Sequence, residues 1–566
     1  MLVVPKLQMS PRRWLGRLRR RVRETIRGET AETYFDLHNP RELQPVLDAH
    51  GVTLGDWQMA SSIRVRRIFE WRDDVRLEFP LGFTPQGRRE LLLWLLSCGA
   101  KEYGVSAEES LKYLHELDET PDRGLVTHYL MRADWQRDVP DALMPDGWLK
   151  LIRFLAKEFG LAGRWSRRTT LPKSAIVEPI PVSGGANVVA HFRYASGLQE
   201  AAFGVVNGLN AVNVPMAKRD LPVIYPCDWN DSERYLDLER FDTTIYVSAV
   251  NTFPHEWYPK AALHPRPGVR RIAVWFWELD EVPAAWHPRL QWADEVWAPT
   301  NFTAEAFRKC VECPVLTMLP GIELSPFAPK PRSAFGLPDD RFLFLFSFDM
   351  RSIMVRKNPL ASIEAFRKAF RPDEKVHLAI KVSRGECIPE DFATLKAAAS
   401  AANVQLIDGV LPRADVLALL NAADCYVSPH RSEGLGLGIA ESMLLGKPTI
   451  ATGYSGNLDF MTPETNHFIE YTLVPVEADQ SNHNPYPAAR TRWAEPNVDH
   501  LSKLMRHVYE NQREAKEMGL RAKAHIERIM SPRAFGMRMK ERLAELSRST
   551  RTRLPNMSLW LHPTVT

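Results

Sequence analysis

The stretch that decides the fold reads Ser428-Pro-His-Arg-Ser-Glu-Gly-Leu-Gly-Leu-Gly-Ile-Ala-Glu-Ser-Met-Leu-Leu-Gly-Lys-Pro448. It follows an apolar run that predicts a strand, and it leads into a helical pattern. Its glycines let the backbone approach a ligand closely, and the free N–H groups at a helix start favour an anion or dense hydroxyls. Glu433 precedes the helix and Glu441 lies inside it, so both carboxylates can serve one cleft as hydroxyl acceptors. Taken alone, a glycine-rich loop with a capping and a surface glutamate is the alternative.

Strand and helix patterns alternate in two series around this stretch. One series covers residues 187–330, where a strand is also predicted over 222–225, and the second covers 331–530. Such alternation predicts βαβ units and parallel sheets. We therefore expect an α/β fold with two facing, Rossmann-like, doubly wound domains. Ligands of such sheets bind at the carboxyl ends of the strands, which places the site in the cleft between the two domains.

The remaining residues divide into segments of different character, which we assign to 1–30 (basic amphipathic segment), 31–165 (mostly helical accessory domain), 166–186 (linker) and 531–566 (C-terminal helix and tail). In the accessory domain, Ser106 and Glu109 have the spacing of a capping box and predict a helix start.

The first 30 residues combine eight arginines with an apolar stripe, formed by Leu15, Leu18, Val22 and Ile26 on one helical face. A basic amphipathic helix suits an anionic membrane surface, and the alternative is a helix that packs on its own protein. No apolar stretch reaches the roughly 20 residues that a bilayer requires. Six cysteines in 566 residues and the lack of a signal-peptide core predict a cytoplasmic protein. Through residues 1–30, this protein would associate peripherally with the inner face of the cell membrane. The net charge of +4 gives no reason to expect a nucleic-acid partner.

Other well-known nucleotide and catalytic motifs do not fit the chain. Ile439 stands where the third glycine of a dinucleotide fingerprint belongs. The sequence also lacks a P-loop, a G-x-S-x-G elbow and an H-E-x-x-H helix.

Glu433 and Glu441, with the glycine-rich residues between them, resemble the signature of the retaining glycosyltransferases of family 4, the group 1 type with a GT-B fold. The resemblance extends over roughly residues 187–530. It is carried by the donor-phosphate segment 348–359, the nucleotide-base loop 408–412, the segment 319–323 before the hinge, and the patterns 275–279 and 294–299, which are similar to a bacterial polysaccharide-assembly branch.

The resemblance implies roles for individual residues. Glu433 would contact the hydroxyls of the donor sugar, Glu441 the nucleotide ribose, and Arg356 and Lys357 the diphosphate. The implied donor-binding residues are Arg351, Arg356, Lys357, Glu433, Gly434, Leu435, Gly436, Leu437, Glu441, Gly197, Val410 and Leu411. The implied acceptor-binding residues are Trp277, Glu278 and His255, and the implied catalytic residues are Glu433, Lys357 and Asn251.

The chain departs from the family pattern after the fourth strand of the first domain. Many relatives carry a histidine or an aspartate there, near the reacting carbon. Here the segment is Val247-Ser-Ala-Val-Asn-Thr-Phe-Pro-His255. Asn251 is the aligned residue and His255 is displaced, so which of them reaches the sugar is left open.

The resemblance implies a hexosyltransferase that moves a sugar from a nucleotide-sugar donor to a saccharide or lipid-linked saccharide, in the assembly of a surface polysaccharide. Fixed Arg and Lys donors stabilise the charge that develops on the leaving diphosphate, so we expect no metal and no cofactor beyond the nucleotide-sugar co-substrate. Two alternatives stand beside this interpretation. One is a non-catalytic GT-B scaffold that binds glycans or protein partners, and the other is a GT-B nucleotide-sugar epimerase.

Overall fold

The computed structural model describes residues 35–119, 121–130, 132–144, 146–159, 181–221, 235, 237, 239–261, 263, 268–402, 404–476 and 491–548. They form two compact units. The first holds the described residues up to 181 and those within 221–240 and 255–266, and the second holds the described residues of 182–220, 241–254 and 267–566. The predicted basic segment 1–30, the predicted strand 222–225 and most of the predicted linker lie outside the described residues.

The first unit is built from helices. Its elements in chain order are α1 (Pro40–Asp48), α2 (Ile63–Trp71), α3 (Asp73–Glu78), α4 (Arg88–Trp94), α5 (Ala100–Tyr103), α6 (Ala107–Glu119), α7 (Pro121–Leu130), α8 (Ala133–Asp138) and α9 (Trp148–Phe159). A π-helical turn over Leu95–Gly99 joins α4 to α5. The buried faces of these helices form one hydrophobic core.

The capping box predicted in this unit is present. The backbone N–H of Ser106 donates to Glu109 Oε2 at 2.9 Å, and the backbone N–H of Glu109 donates to Ser106 Oγ at 3.2 Å. Each side chain satisfies an N–H group that has no partner inside the helix, which fixes the start of α6.

The second unit begins with an α/β region around a parallel sheet. Its elements are β1 (Ala186–Ala190), α10 (Gly197–Ala211), β2 (Met216–Asp220), β3 (Thr243–Ala249), α11 (Pro254–Lys260, in the first unit from residue 255), β4 (Arg270–Phe276), α12 (His287–Leu290), β5 (Glu295–Ala298), α13 (Asn301–Arg308) and β6 (Val315–Thr317). Among the described residues, six strands pair in the order β2-β1-β3-β4-β5-β6. We call this region the first lobe.

A second α/β region, the second lobe, follows in the same unit. Its elements are β7 (Phe342–Asp349), α14 (Met354–Lys357), α15 (Pro359–Ala369), β8 (Val376–Ser383), α16 (Pro389–Ala401), β9 (Gln405–Asp408), α17 (Arg413–Ala422), β10 (Cys425–Ser428), α18 (Leu437–Leu444), β11 (Thr449–Thr452), β12 (His467–Ile469), β13 (Tyr471–Pro475), β14 (Arg492–Pro496), α19 (Val498–Glu510) and α20 (Gln512–Ile529). Its described strands form a parallel six-stranded sheet in the order β12-β11-β10-β7-β8-β9, and β13 pairs with β14 in a separate antiparallel hairpin.

The last described helix, α21 (Pro532–Arg548), returns to the first lobe. It packs against α10, where a Cβ on Gly536 would lie 2.0 Å from the carbonyl oxygen of Gly208. Farther along α21, the guanidinium of Arg542 donates to both carboxylate oxygens of Glu295 at 3.0 and 2.6 Å. The close approach of two glycines and this bidentate pair fix the helix on the lobe.

The fold class predicted from the sequence is confirmed. Two parallel α/β sheets follow a mostly helical region, as the sequence predicted. The inner strands β3 and β10 are buried on both faces almost throughout, which explains why such strands show no alternation of apolar and polar residues in the sequence.

Candidate functional site

The site lies where successive strands are added on opposite sides of the first strand of each sheet. In the first lobe this change of side falls between β1 and β3, and in the second lobe between β7 and β10. Loops that leave two neighbouring strands on opposite sides open a crevice at the carboxyl edge of such a sheet. The residues that follow these strands include Gly197, Asn251, Lys357 and Glu433.

Tight backbone packing explains the glycines of the loop between β10 and α18. A Cβ on Gly434 would lie 2.7 Å from the carbonyl oxygen of Trp277, and a Cβ on Gly438 would lie 2.6 Å from the hydroxyl of Tyr426. Gly436 adopts φ +93°, a left-handed conformation that side chains resist. The loop is therefore pressed against the first lobe at one glycine and against its own sheet at another.

Two cations surround the carboxylate of Glu433. The ammonium of Lys357 contacts Oε1 directly, and Nη1 of Arg356 lies 3.4 Å from Oε2. Burial by itself would raise the pKa of the Glu433 carboxyl, but Lys357 and Arg356 outweigh it and lower that pKa to about 2. Glu433 is therefore ionised at neutral pH, and it can accept hydrogen bonds but cannot donate a proton.

The short helix α14 places both cations at the cleft. It is bounded by Ile353 at φ +65° and Asn358 at φ +56°, two non-glycine residues in an unusual backbone conformation. Arg356 is buried, and its Nη1 donates to the carbonyl oxygen of Ser432 at 2.8 Å. Burial lowers the pKa of the Lys357 ammonium, which the Glu433 carboxylate opposes.

Several contacts join the two lobes beside this cluster. The hydroxyl of Ser432 donates to the carbonyl oxygen of Glu278, and that of Thr300 donates to the carbonyl oxygen of Gly434 at 2.9 Å. The carboxylate of Glu278 lies 3.8 Å from Nη2 of Arg356. The loop after β10 is thus held against the first lobe by hydrogen bonds from hydroxyl groups to main-chain carbonyl oxygens.

Arg351 contacts residues of both lobes. Its Nη1 donates to the hydroxyl of Tyr194 at 2.9 Å, and its Nη2 donates to Sγ of Cys387 at 3.3 Å. Tyr194 belongs to the loop that leads to Gly197 in the first lobe. The guanidinium of Arg351 therefore reaches across the cleft in this structure.

A cavity of about 720 Å³ opens between these loops. Most of the site residues expected from the sequence line it: Gly197, Asn251, Trp277, Glu278, Arg351, Arg356, Lys357, Glu433, Gly434, Leu435, Gly436 and Leu437. Trp277 is almost fully buried, and its Nε1 donates to the carbonyl oxygen of Glu281 at 2.8 Å.

Four expected residues do not belong to that lining set. Val410 is exposed and Leu411 half-buried in the loop after β9. Glu441 is buried on α18. His255 belongs to the first unit, where its Nε2 lies 3.6 Å from a carboxylate oxygen of Glu256. The roles assigned to these four residues stay predictions.

The structure also reveals a contact that the sequence reasoning missed. Nη2 of Arg413 contacts Oε1 of Glu441 and lies 3.3 Å from Oε2 of Glu200. Glu200 lines the cavity from the first turn of α10. The available signals were the position of Arg413 directly after the expected base loop and that of Glu200 three residues after Gly197.

Two features are absent from the described ranges. No cluster of three or more His, Cys, Asp or Glu side chains there has the arrangement to hold a metal ion. None of the helices described is long and apolar enough to cross a bilayer.

Comparison with known families identifies the second lobe. Residues 343–481 match the family model described as "Glycosyl transferases group 1". The matched range contains Lys357, Glu433 and Glu441. This part of the chain is therefore similar to glycosyltransferase group 1 domains.

Two curated proteins are similar to part of the chain. A D-inositol 3-phosphate glycosyltransferase of Thermomonospora curvata is 29% identical over 177 residues, which are 27% of this chain and 40% of the relative. Its counterpart in Thermobifida fusca is 28% identical over 153 residues, which are 25% of this chain and 35% of the relative. The chain thus spans less than half the length of these curated relatives.

Solved structures that the chain partly matches include sucrose-phosphate synthase from Thermosynechococcus elongatus. It has a TM-score of 0.47 and 13% identity, and the match covers 65% of this chain and 100% of that one. A glycosyltransferase from Rickettsia africae gives the same TM-score, identity and coverage. An Anabaena protein solved with UDP and glucose has a TM-score of 0.44 and 12% identity over 64% of this chain and 99% of its own.

Proposed function

We propose that this protein is a metal-independent, retaining hexosyltransferase. It would transfer a sugar from a nucleoside-diphosphate sugar to a saccharide or lipid-linked saccharide acceptor. The surroundings of Glu433 carry this proposal: two buried or half-buried cations and an ionised carboxylate meet at a glycine-rich helix start inside a cavity. The glycosyltransferase group 1 domain that contains them supports the reaction class.

The cations suit a leaving diphosphate. When the bond between the donor sugar carbon and the diphosphate oxygen breaks, the electron pair stays on that oxygen and its charge rises. Arg356 and Lys357 are the last two residues of α14, and α18 begins directly after the glycine-rich loop that follows Glu433. Donors that are fixed before the reaction stabilise this charge without having to reorganise. In other enzymes a metal ion can provide the same stabilisation. In the free protein Glu433 balances these cations, and a bound diphosphate would share them.

The carboxylate of Glu433 suits the sugar. A group with a pKa near 2 stays ionised and can accept hydrogen bonds from two sugar hydroxyls. Retention would follow if the acceptor hydroxyl attacks on the face that the diphosphate leaves. Its proton then passes to the departing phosphate oxygen, so no protein base is needed.

The first-lobe side of the cavity would receive the acceptor. Asn251, Trp277 and Glu278 line this side. The amide of Asn251 and the carboxylate of Glu278 can bind sugar hydroxyls, and the almost fully buried indole of Trp277 would support this wall of the cavity. We place the reaction in the assembly of a surface polysaccharide in the cytoplasm, with residues 1–30 as a peripheral contact to the inner face of the membrane.

The test is a screen of nucleotide sugars followed by transfer assays. A ligand at 100 times its dissociation constant adds about 2.7 kcal/mol of stability, so donors should be found by their effect on thermal unfolding. The best donor is then incubated with saccharide, lipid-linked saccharide and inositol 3-phosphate acceptors. The last acceptor is included because both curated relatives are named D-inositol 3-phosphate glycosyltransferase. Product with the same anomeric configuration as the donor is the expected result.

Two other outcomes would favour the alternatives. Conversion of the donor sugar without any acceptor would indicate an epimerase. Absence of binding by every nucleotide sugar and nucleoside diphosphate would indicate a non-catalytic scaffold and contradict the proposal.

A further inference from the structure

One arginine connects the two lobes through two carboxylates. Arg413 is the first residue of α17, directly after the loop 408–412. Its Nη2 contacts Oε1 of Glu441, which lies on α18 of the second lobe. The same nitrogen lies 3.3 Å from Oε2 of Glu200, which lies on α10 of the first lobe.

The polar groups around Arg413 are not all paired with one another among the described residues. Glu441 is almost fully buried, and burial raises the pKa of the nearby Glu200 carboxyl, which Arg413 opposes. Two carboxylates thus share a single guanidinium. In addition, Nε of Arg413 is buried and has no hydrogen-bond partner among the residues that the structure describes. A neutral group with both hydroxyl donors and acceptor oxygens would complement this arrangement, and the two hydroxyls of a ribose are such a group.

We propose that Arg413 is a positioning residue for the nucleotide ribose. It fixes the Glu441 carboxylate for the ribose hydroxyls, and through Glu200 it ties that contact to the lobe that receives the acceptor. This inference rests on the proposed function, because it presumes a nucleotide donor in the cleft.

The arrangement has a clear physical advantage. A buried carboxylate held by a planar, permanently charged guanidinium keeps one orientation, so less rotational freedom is lost when the ribose binds. Arg413 is therefore expected to affect the ribose contact and not the diphosphate contact, which Lys357 and Arg356 provide.

The experiment compares ligands with and without ribose hydroxyls. The tightest of UDP, GDP and ADP is selected by titration of the wild-type protein, and its 2′,3′-dideoxy analogue and inorganic pyrophosphate serve as probes. Arg413→Ala should weaken the nucleoside diphosphate about tenfold. It should leave the dideoxy analogue and pyrophosphate within twofold of wild type. Arg413→Lys, which keeps the charge without the fork, should recover only part of the affinity.

Glu200 is tested by a double-mutant cycle. Glu200→Gln alone should weaken the nucleoside diphosphate about threefold, and it should add nothing in the Arg413→Ala background, because Glu200 acts through Arg413. Arg542→Ala is the matched control. Arg542 also pairs with a buried carboxylate, that of Glu295, and has similar exposure, so its loss should lower stability without changing ligand affinity.

The outcomes separate this inference from the proposed function. If Arg413→Ala and Arg413→Lys bind all three probes like wild type, or weaken pyrophosphate as much as the nucleotide, the positioning role is overturned. Additive effects of the two variants would overturn the part played by Glu200. If wild type binds pyrophosphate but no nucleoside diphosphate, the proposed function fails, and this inference fails with it.

Discussion

The ammonium of Lys357 contacts the carboxylate of Glu433, although 76 positions separate the two residues in the sequence. Lys357 ends α14, which follows β7, and Glu433 follows β10. The two strands are hydrogen-bonded neighbours in the second sheet. A pairing of strands that are distant in the sequence therefore assembles the charged centre of the site.

Lys357→Ala should reduce transfer turnover by about 10² to 10³ while the protein stays folded. Loss of one donor to developing charge in a site of this kind typically has an effect of that size. Lys357→Arg should recover only part of the rate, because a planar fork does not replace a point charge. The measurement is steady-state transfer with the donor found by screening. Lys368→Ala, which removes an exposed, ion-paired lysine on α15, is the control and should leave turnover unchanged. A rate abolished by EDTA in the wild type would contradict the metal-free mechanism.

Glu433→Gln and Glu441→Gln should differ in their kinetic effects. A ribose contact is nearly equal in the ground and transition states, so Glu441→Gln should chiefly weaken nucleotide affinity. Glu433 would orient the reacting sugar, so Glu433→Gln should chiefly reduce turnover. Titration with nucleoside diphosphate and steady-state rates separate the two effects. If both variants stayed within twofold of wild type in each measurement, the assignment of the two glutamates would be wrong.

The ion pairs of Glu433 should make stability depend on pH in a defined direction. The pKa of this carboxyl falls from an ordinary value near 4.5 to about 2 in the folded protein. The stabilisation is therefore fully present above pH 4.5 and is lost as the pH falls towards 2. The free energy of unfolding of the wild type should exceed that of Glu433→Gln most at pH 7, and the difference should shrink between pH 5 and pH 3. Denaturant titrations check this, with Glu305→Gln, which breaks an exposed pair with Arg308, as a control of small pH dependence. A difference that grows on acidification would refute the charged pair.

Two glycine substitutions should separate folding from binding. A Cβ at Gly197 would meet no atom within 4 Å among the described residues, and the glycine begins α10 beside the cavity. Gly197→Ala should keep or raise thermal stability, since alanine favours a helix by up to about 1 kcal/mol over glycine, while it weakens nucleotide-sugar binding. Gly536→Ala would instead force α21 away from the carbonyl oxygen of Gly208 and should lower the melting temperature. Thermal unfolding with and without donor distinguishes the two, and unaltered donor binding by Gly197→Ala would argue against a phosphate near this loop.

Residues 1–30 should promote binding to anionic vesicles. Each arginine near such a surface contributes about 1 kcal/mol, and added salt screens the attraction. Co-sedimentation with vesicles that contain phosphatidylserine should therefore show binding that falls with salt and that is lost when residues 1–30 are deleted. Neutral phosphatidylcholine vesicles are the control. Equal, salt-insensitive binding by the full and shortened chains would remove the case for a membrane contact.

Local patterns were sufficient for much of the fold. The capping box at Ser106 and Glu109 depends only on residues three apart, and it appears as predicted. The buried strands of both sheets are short apolar runs between helical patterns, which is why their alternation could be recognised. The glycine-rich loop before α18 and the two-lobe α/β architecture follow from the same local signals.

The sequence by itself determined the fold class and the loop that carries Glu433, and it predicted which residue types would bind a diphosphate. Only the tertiary structure decided the partners of those residues. The guanidinium of Arg351 donates to the hydroxyl of Tyr194, and Arg413 contacts the carboxylate of Glu441, and neither contact could be read from a local pattern. The physical reason is that local backbone preferences act over a few residues, whereas the pairing of charges depends on which strand ends and which lobes come together. Which strand ends and lobes come together depends on the packing of the entire second unit, and a short sequence motif carries no information about that packing.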